Sequence, residues 1–127
     1  MTTGTQTLKN LILPGVGWVT VVDDQTVTHR DVGTNFFVSV DSVGQPWHEV
    51  VLKNLLELNP DVQGNSSGDS PQGLLSADNR LDYFKQFTLI VACELTDAET
   101  LKLDEIGKEL GIPYQILRGF GQVGYLR

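Results

Sequence analysis

Apolar positions fall at helical spacing in three stretches and cluster in three others. Leu8, Leu11 and Ile12 predict a helix over Gln6 to Leu13. Thr3 or Thr5 would cap it, and Pro14-Gly15 would stop it. Trp47, Val50, Val51, Leu55 and Leu58 form the stripe of a second helix, opened by Gly44-Gln45-Pro46 and ended by Asn59-Pro60. Leu103, Ile106 and Leu110 mark a third. It starts in a capping box, Thr96 with Glu99, and stops at Gly111. The clustered stretches read as strands. Trp18 to Val22 is short and rich in β-branched residues. Phe87 to Cys93 is apolar on both faces, as a central parallel strand should be. Tyr114 to Leu117 follows the third helix.

Between these elements the pattern weakens. Asp24 to Gly33 reads as polar and irregular, and Asn35-Phe36-Phe37 as a loop. Two adjacent phenylalanines on a loop either fold back on the core or lie in an interface. Val62 to Asn79 reads as a flexible loop or at most an edge element, and Leu81 to Gln86 as a helical turn. The order is helix, strand, helix, weak element, strand, helix, strand. It predicts an α/β fold: a mostly parallel, Rossmann-like sheet with helices on both faces. A helix-first order is unusual for such a sheet, so a first strand is expected before residue 1. Without it the sheet would expose an apolar edge, and marginal stability is expected.

At 127 residues one domain is expected over 1–127. The net charge is −7 and the nine Lys and Arg form no cluster, which argues against a nucleic-acid partner. No apolar run approaches the ~20 residues that span a bilayer. The single cysteine, Cys93, leaves no internal disulfide and suits a reducing compartment. It closes an apolar strand next to Glu94, a setting for an inert thiol.

Little chemistry is evident. Asp23 ends the first strand, where α/β folds hold a ribose and where any turn also favours Asp. Gly15-Val16-Gly17 precedes a strand, the wrong order for a phosphate loop. Gly4 sits before a helix, as a last loop glycine or a simple leading glycine. His29 and His48 lie far apart and near no cysteine, so no metal site is expected. Glu94 reads first as a solvated carboxylate, second as a metal or nucleotide ligand.

Several stretches together resemble a known family. They are Thr5-Gln-Thr-Leu-Lys-Asn-Leu-Ile-Leu-Pro-Gly-Val-Gly, Val22-Asp23, Asp31-Val-Gly-Thr-Asn-Phe-Phe, Ser42-Val-Gly, Leu56-Glu-Leu-Asn and Phe120-Gly-Gln-Val-Gly-Tyr-Leu-Arg. They are similar to the adenylation-type domain of ubiquitin-like-protein activating enzymes, the ThiF/MoeB superfamily. The likeness is strongest to the regulatory halves of the heterodimeric neddylation enzymes. Asn35-Phe36-Phe37 and Tyr125-Leu126-Arg127 favour these over the sumoylation halves.

The resemblance implies a degenerate ATP pocket at Gly4, Asp23, Asp31, Thr34, Trp47 and Glu94. The family's Asn, Arg, Lys and metal-binding Asp fall on Asp31, Thr34, Trp47 and Glu94, and the second Asp of its Asp-x-Asp falls on Gln25. A pocket without fixed cations cannot stabilise a triphosphate beside a carboxylate. A pseudo-active chain is therefore implied, with no catalytic, cofactor or metal residues of its own. It would scaffold a catalytic subunit that uses ATP and Mg to adenylate a ubiquitin-like modifier. Asn35, Phe36 and Phe37 are the expected interface, with Trp47 a further candidate. The resemblance also implies a cytoplasmic and nuclear setting and a piece, or short form, of a longer subunit. The rival from another class is a small Rossmann-like nucleotide-binding enzyme.

Overall fold

A computed structural model describes residues 2–127. The chain divides into two compact units, one up to Pro71 and one over Gln72–Arg127.

The first unit opens with α1, Thr2–Ile12. It starts earlier than the apolar spacing suggests, so Thr3 and Thr5 lie inside the helix and cap nothing. Thr5 is fully buried and accepts a hydrogen bond from Asn35 Nδ2 at 3.0 Å. Its hydroxyl thus serves a packing contact 30 residues away along the chain. Pro14-Gly15 does stop the helix. Val16 N donates to Leu11 O and Gly15 N to Ile12 O. Gly15 takes the left-handed φ of 97° that this Schellman closure needs.

Strand β1, Trp18–Val22, pairs in parallel with β2, Gln63–Ser67. The polar run Gln-Gly-Asn-Ser-Ser is therefore the edge element of the two readings, a strand paired with β1 alone, and not a flexible loop. Side-chain bonding replaces the missing β propensity: Thr20 Oγ1 donates to Asn65 Oδ1 at 2.6 Å. Gly64 matters here, because a Cβ would lie 2.7 Å from Val19 O and 3.2 Å from Leu52 Cδ1. Only glycine lets β2 approach this closely.

The stretch read as irregular holds α2, His29–Thr34, nucleated by a capping box between Thr28 and Asp31. Helix α3, Trp47–Leu56, ends before Leu58, which is partly exposed. Its buried face is wider than the predicted stripe and includes His48 and Leu52. Ile12, Val21, Val27, Phe37, Val51 and Leu55 lie at the centre of this unit's core.

The second unit contains α5 (Arg80–Phe84), β3 (Ile90–Cys93), α6 (Asp97–Leu110), β4 (Tyr114–Phe120) and β5 (Val123–Leu126). Helix α4, Pro71–Ser76, crosses into it from the first unit. Strand β3 is shorter than the apolar run: Phe87 closes the turn after α5, stacked edge-on to Tyr83. Strand β3 pairs in parallel with β4, and β4 turns at Gly121 to pair antiparallel with β5. The sequence pattern had shown neither β5 nor the last three residues of β4. Strand β3 has β4 on one side only and its residues are half-buried, so within this sheet it is an edge and not a central strand. The capping box of α6 forms as its residues predict, and Gly111 closes the helix at φ 66°. Leu75, Phe84, Leu103, Ile106 and Ile116 form this unit's core.

The α/β class holds: two of the three strand pairings are parallel. No helix among the described residues is long and apolar enough to cross a membrane.

Candidate functional site

The carboxyl ends of β1 and β2 are where an α/β fold places a ligand. Asp23 leaves β1 there and is only 4% exposed. Its N–H donates to Ser67 O, and its Oδ1 accepts from Gln25 N at 2.8 Å. Burial raises its carboxyl pKa above the ordinary value, although the Gln25 hydrogen bond opposes this. Gln25 O in turn accepts from Trp47 N, so one residue ties the end of β1 to the start of α3. Beside it, His48 Nδ1 lies 2.8 Å from Ser66 Oγ, and Gly68 leaves room for the imidazole.

Trp47 is 5% exposed, and its indole Nε1 is buried without a hydrogen-bond partner. An ammonium would not tolerate such packing; an indole does. Asp31 is occupied locally. Its carboxylate accepts from Thr28 N at 2.8 Å and Thr28 Oγ1 at 2.7 Å. The Thr28 hydroxyl, first among the causes, lowers its pKa. Thr34 ends α2 and folds its hydroxyl back onto Arg30 O. Gly4 lies within the first turns of α1 and not in a loop before it.

Glu94 belongs to the second unit. It ends β3 with φ 58°, a left-handed conformation that a side chain rarely adopts. Its Oε1 accepts from Gly119 N at 2.9 Å, which ties β3 to β4. The carboxylate therefore has a structural role. No cluster of three metal-ligating side chains exists among the described residues. Cys93 is half-buried, and burial, then Glu94, pushes its thiol pKa up. Such a thiol is a poor nucleophile.

The structure thus brings Asp23 and Trp47 together through Gln25. It gives Asp31, Thr34 and Glu94 local bonding tasks. None of the six positions carries a cation. The expected interface triplet is divided: Phe36 is 89% exposed, whereas Phe37 and Asn35 are buried. Asn35 Oδ1 accepts from Phe37 N, which turns the second ring inward and leaves the first outside.

The family model described as "ThiF family" matches residues 2–114. The chain belongs to the ThiF family. It is 44% identical to the NEDD8-activating enzyme E1 regulatory subunit of Gallus gallus over 125 residues, covering 98% of this chain and 23% of that protein. The same-named subunit of Danio rerio is 41% identical over 124 residues, again 98% of this chain and 23% of the relative. The chain therefore spans under a quarter of the length of these curated relatives. A crystal structure of Escherichia coli MccB with succinimide matches at a TM-score of 0.83, with 14% identity, over 98% of this chain and 36% of that one. That likeness establishes the ThiF-type fold.

Proposed function

We propose that the chain is a regulatory, non-catalytic scaffold of a NEDD8-activating enzyme. It pairs with a catalytic subunit that adenylates the modifier with ATP and Mg, and it binds neither itself. One observation carries the reading: 98% of this chain aligns with regulatory subunits named for NEDD8 activation. The site chemistry supports it. Catalysis of adenylation needs fixed cations around a triphosphate. The matched positions supply a buried indole and carboxylates already engaged in capping, turn and strand-closing bonds. The names of the relatives also favour NEDD8 over a sumoylation partner. Phe36 is the proposed contact, because exposed aromatic side chains dominate interface energies.

Calorimetric titration with Mg-ATP tests the scaffold reading against a small nucleotide-binding enzyme. No heat of binding is expected up to millimolar ATP. Micromolar affinity overturns the scaffold reading.

A further inference from the structure

The exposed ring of Phe36 sits between two buried neighbours, Asn35 and Phe37. The turn that carries it is closed by Asn35 O, which accepts from Val38 N at 3.4 Å. Inside the turn, Asn35 Oδ1 accepts from Phe37 N at 3.0 Å, an Asx bond that sets the path of the chain through Phe36. Three helices hold this turn. Asn35 N donates to Asp31 O of α2 at 2.8 Å. Asn35 Nδ2 donates to Thr5 Oγ1 of α1 at 3.0 Å. Asn54 of α3 donates from its Nδ2 to Phe37 O at 2.6 Å. Phe37 then acts as a pedestal. Its buried ring meets the Phe36 ring edge-on, with centroids 5.6 Å apart and planes at 89°.

Hydrophobic burial by itself favours both rings inside. The bonds at Asn35 oppose that outcome, because a buried polar pair costs more to break than it returns when made. Satisfied buried polar groups thereby specify one arrangement among several that apolar packing would allow. Here the arrangement is Phe37 inward and Phe36 outward. A side chain held in place before contact also loses less freedom on binding than a mobile one.

We propose that Thr5, Asn35 and Asn54 are positioning residues, which present Phe36 as a pre-set anchor for the catalytic subunit, a role that rests on the scaffold reading above. Asn35 shapes the turn, and Thr5 and Asn54 fix it to α1 and α3. None of the three needs to touch the partner.

The test measures the affinity of the chain for the purified catalytic subunit. Thr5→Val removes the acceptor of Asn35 Nδ2. Thr5→Ser keeps it and opens a methyl-sized void at a fully buried site. Affinity should fall about fivefold in Thr5→Val and in Asn54→Ala. It should stay at the wild-type level in Thr5→Ser, although the void lowers the melting temperature. In a Phe36→Ala background the Thr5→Val effect should vanish, because Thr5 acts through the ring. In the free chain, the Phe37 amide should exchange about tenfold faster in Thr5→Val than in Thr5→Ser, each taken relative to Val51 in the core. Affinity that follows melting temperature across the variants, or a Thr5→Val effect that persists without the ring, overturns the positioning role and leaves the scaffold reading standing. Equal Phe37 exchange in Thr5→Val and Thr5→Ser overturns it as well. A folded wild-type chain that does not bind the catalytic subunit overturns the scaffold reading itself, and the role for the partner with it. If Thr5→Val does not fold, Asn54→Ala decides: an effect present with Phe36 and absent in Phe36→Ala supports the proposal, and an equal effect in both contradicts it.

Discussion

Asp23 and Glu94 each follow a strand and each accept a backbone hydrogen bond, from Gln25 N and Gly119 N. Asp23 is buried and its pKa is raised, first by desolvation. A carboxyl with a raised folded-state pKa opposes folding once it ionises, so its cost is absent in acid and fully present above its folded pKa. Asp23→Asn keeps an acceptor for Gln25 N and removes the charge. The variant should melt higher than wild type near neutral pH, and the gain should vanish below about pH 3.9, the ordinary Asp value. A thermal melt series across pH checks this. Glu94 combines a strained φ of 58° with one hydrogen bond to Gly119. Left-handed backbone costs a side chain about 1–2 kcal/mol, and a hydrogen bond to a carboxylate returns about 1.5–3 kcal/mol. Glu94→Gln, which keeps a neutral acceptor, should lie between wild type and Glu94→Ala, the least stable. Glu94→Gly should lie above Glu94→Ala. Urea unfolding of the three variants gives the order. Asp23 and Glu94 could be placed at strand ends from the sequence alone. Their bonding partners, Gln25 and Gly119, could not, because nothing in a sequence pattern reports which backbone N–H a carboxylate will accept.

At the scale of elements, the legible parts were those whose stabilising interactions are local. The α6 box was readable because Thr96 and Glu99 stand three residues apart before an apolar stripe. The same logic applied to Thr28 and Asp31 would have found α2, but Asp is a shorter and rarer closing residue, and no apolar stripe follows. Strand β2 was legible only as a possible edge element beside a flexible loop, because its stability is non-local: it rests on Gly64 against Val19 and on Asn65 with Thr20. Strand β5 was missed because Gly124 breaks the apolar alternation and every residue of the strand is exposed. The α6 box makes a quantitative claim. Thr96→Ala removes the side-chain cap and should cost about 1 kcal/mol near neutral pH. Bonding from Thr96 N, then from its hydroxyl, lowers the Glu99 pKa. The carboxylate's share of stability is present above the ordinary Glu value and lost as pH falls through the lowered one. Denaturant midpoints should therefore separate wild type from Thr96→Ala less in acid than at neutrality.

At the scale of the molecule, the class and the order of the main elements were readable. The division of the strands into a two-stranded and a three-stranded sheet was not. Apolar content identifies a strand but not its neighbour, and Phe87–Cys93 read as central although β3 has one partner strand. The six positions were singled out through family resemblance, and the structure adds the bonds made by Asp23, Asp31, Thr34 and Glu94. The interface triplet was legible as a surface question, and Asn35 resolves it by turning Phe37 inward and leaving Phe36 outside. The proposed scaffold role rests on Phe36 as the contact surface of the first unit, exposed where Phe37 is buried. The most direct measurement is affinity capture of a purified catalytic subunit of the NEDD8-activating enzyme by this chain, with Phe36→Ala in parallel. A stable complex is expected with wild type, and at least about tenfold weaker capture by the variant, the size of an aromatic hot spot. A folded wild-type chain that captures no catalytic subunit would contradict the scaffold role.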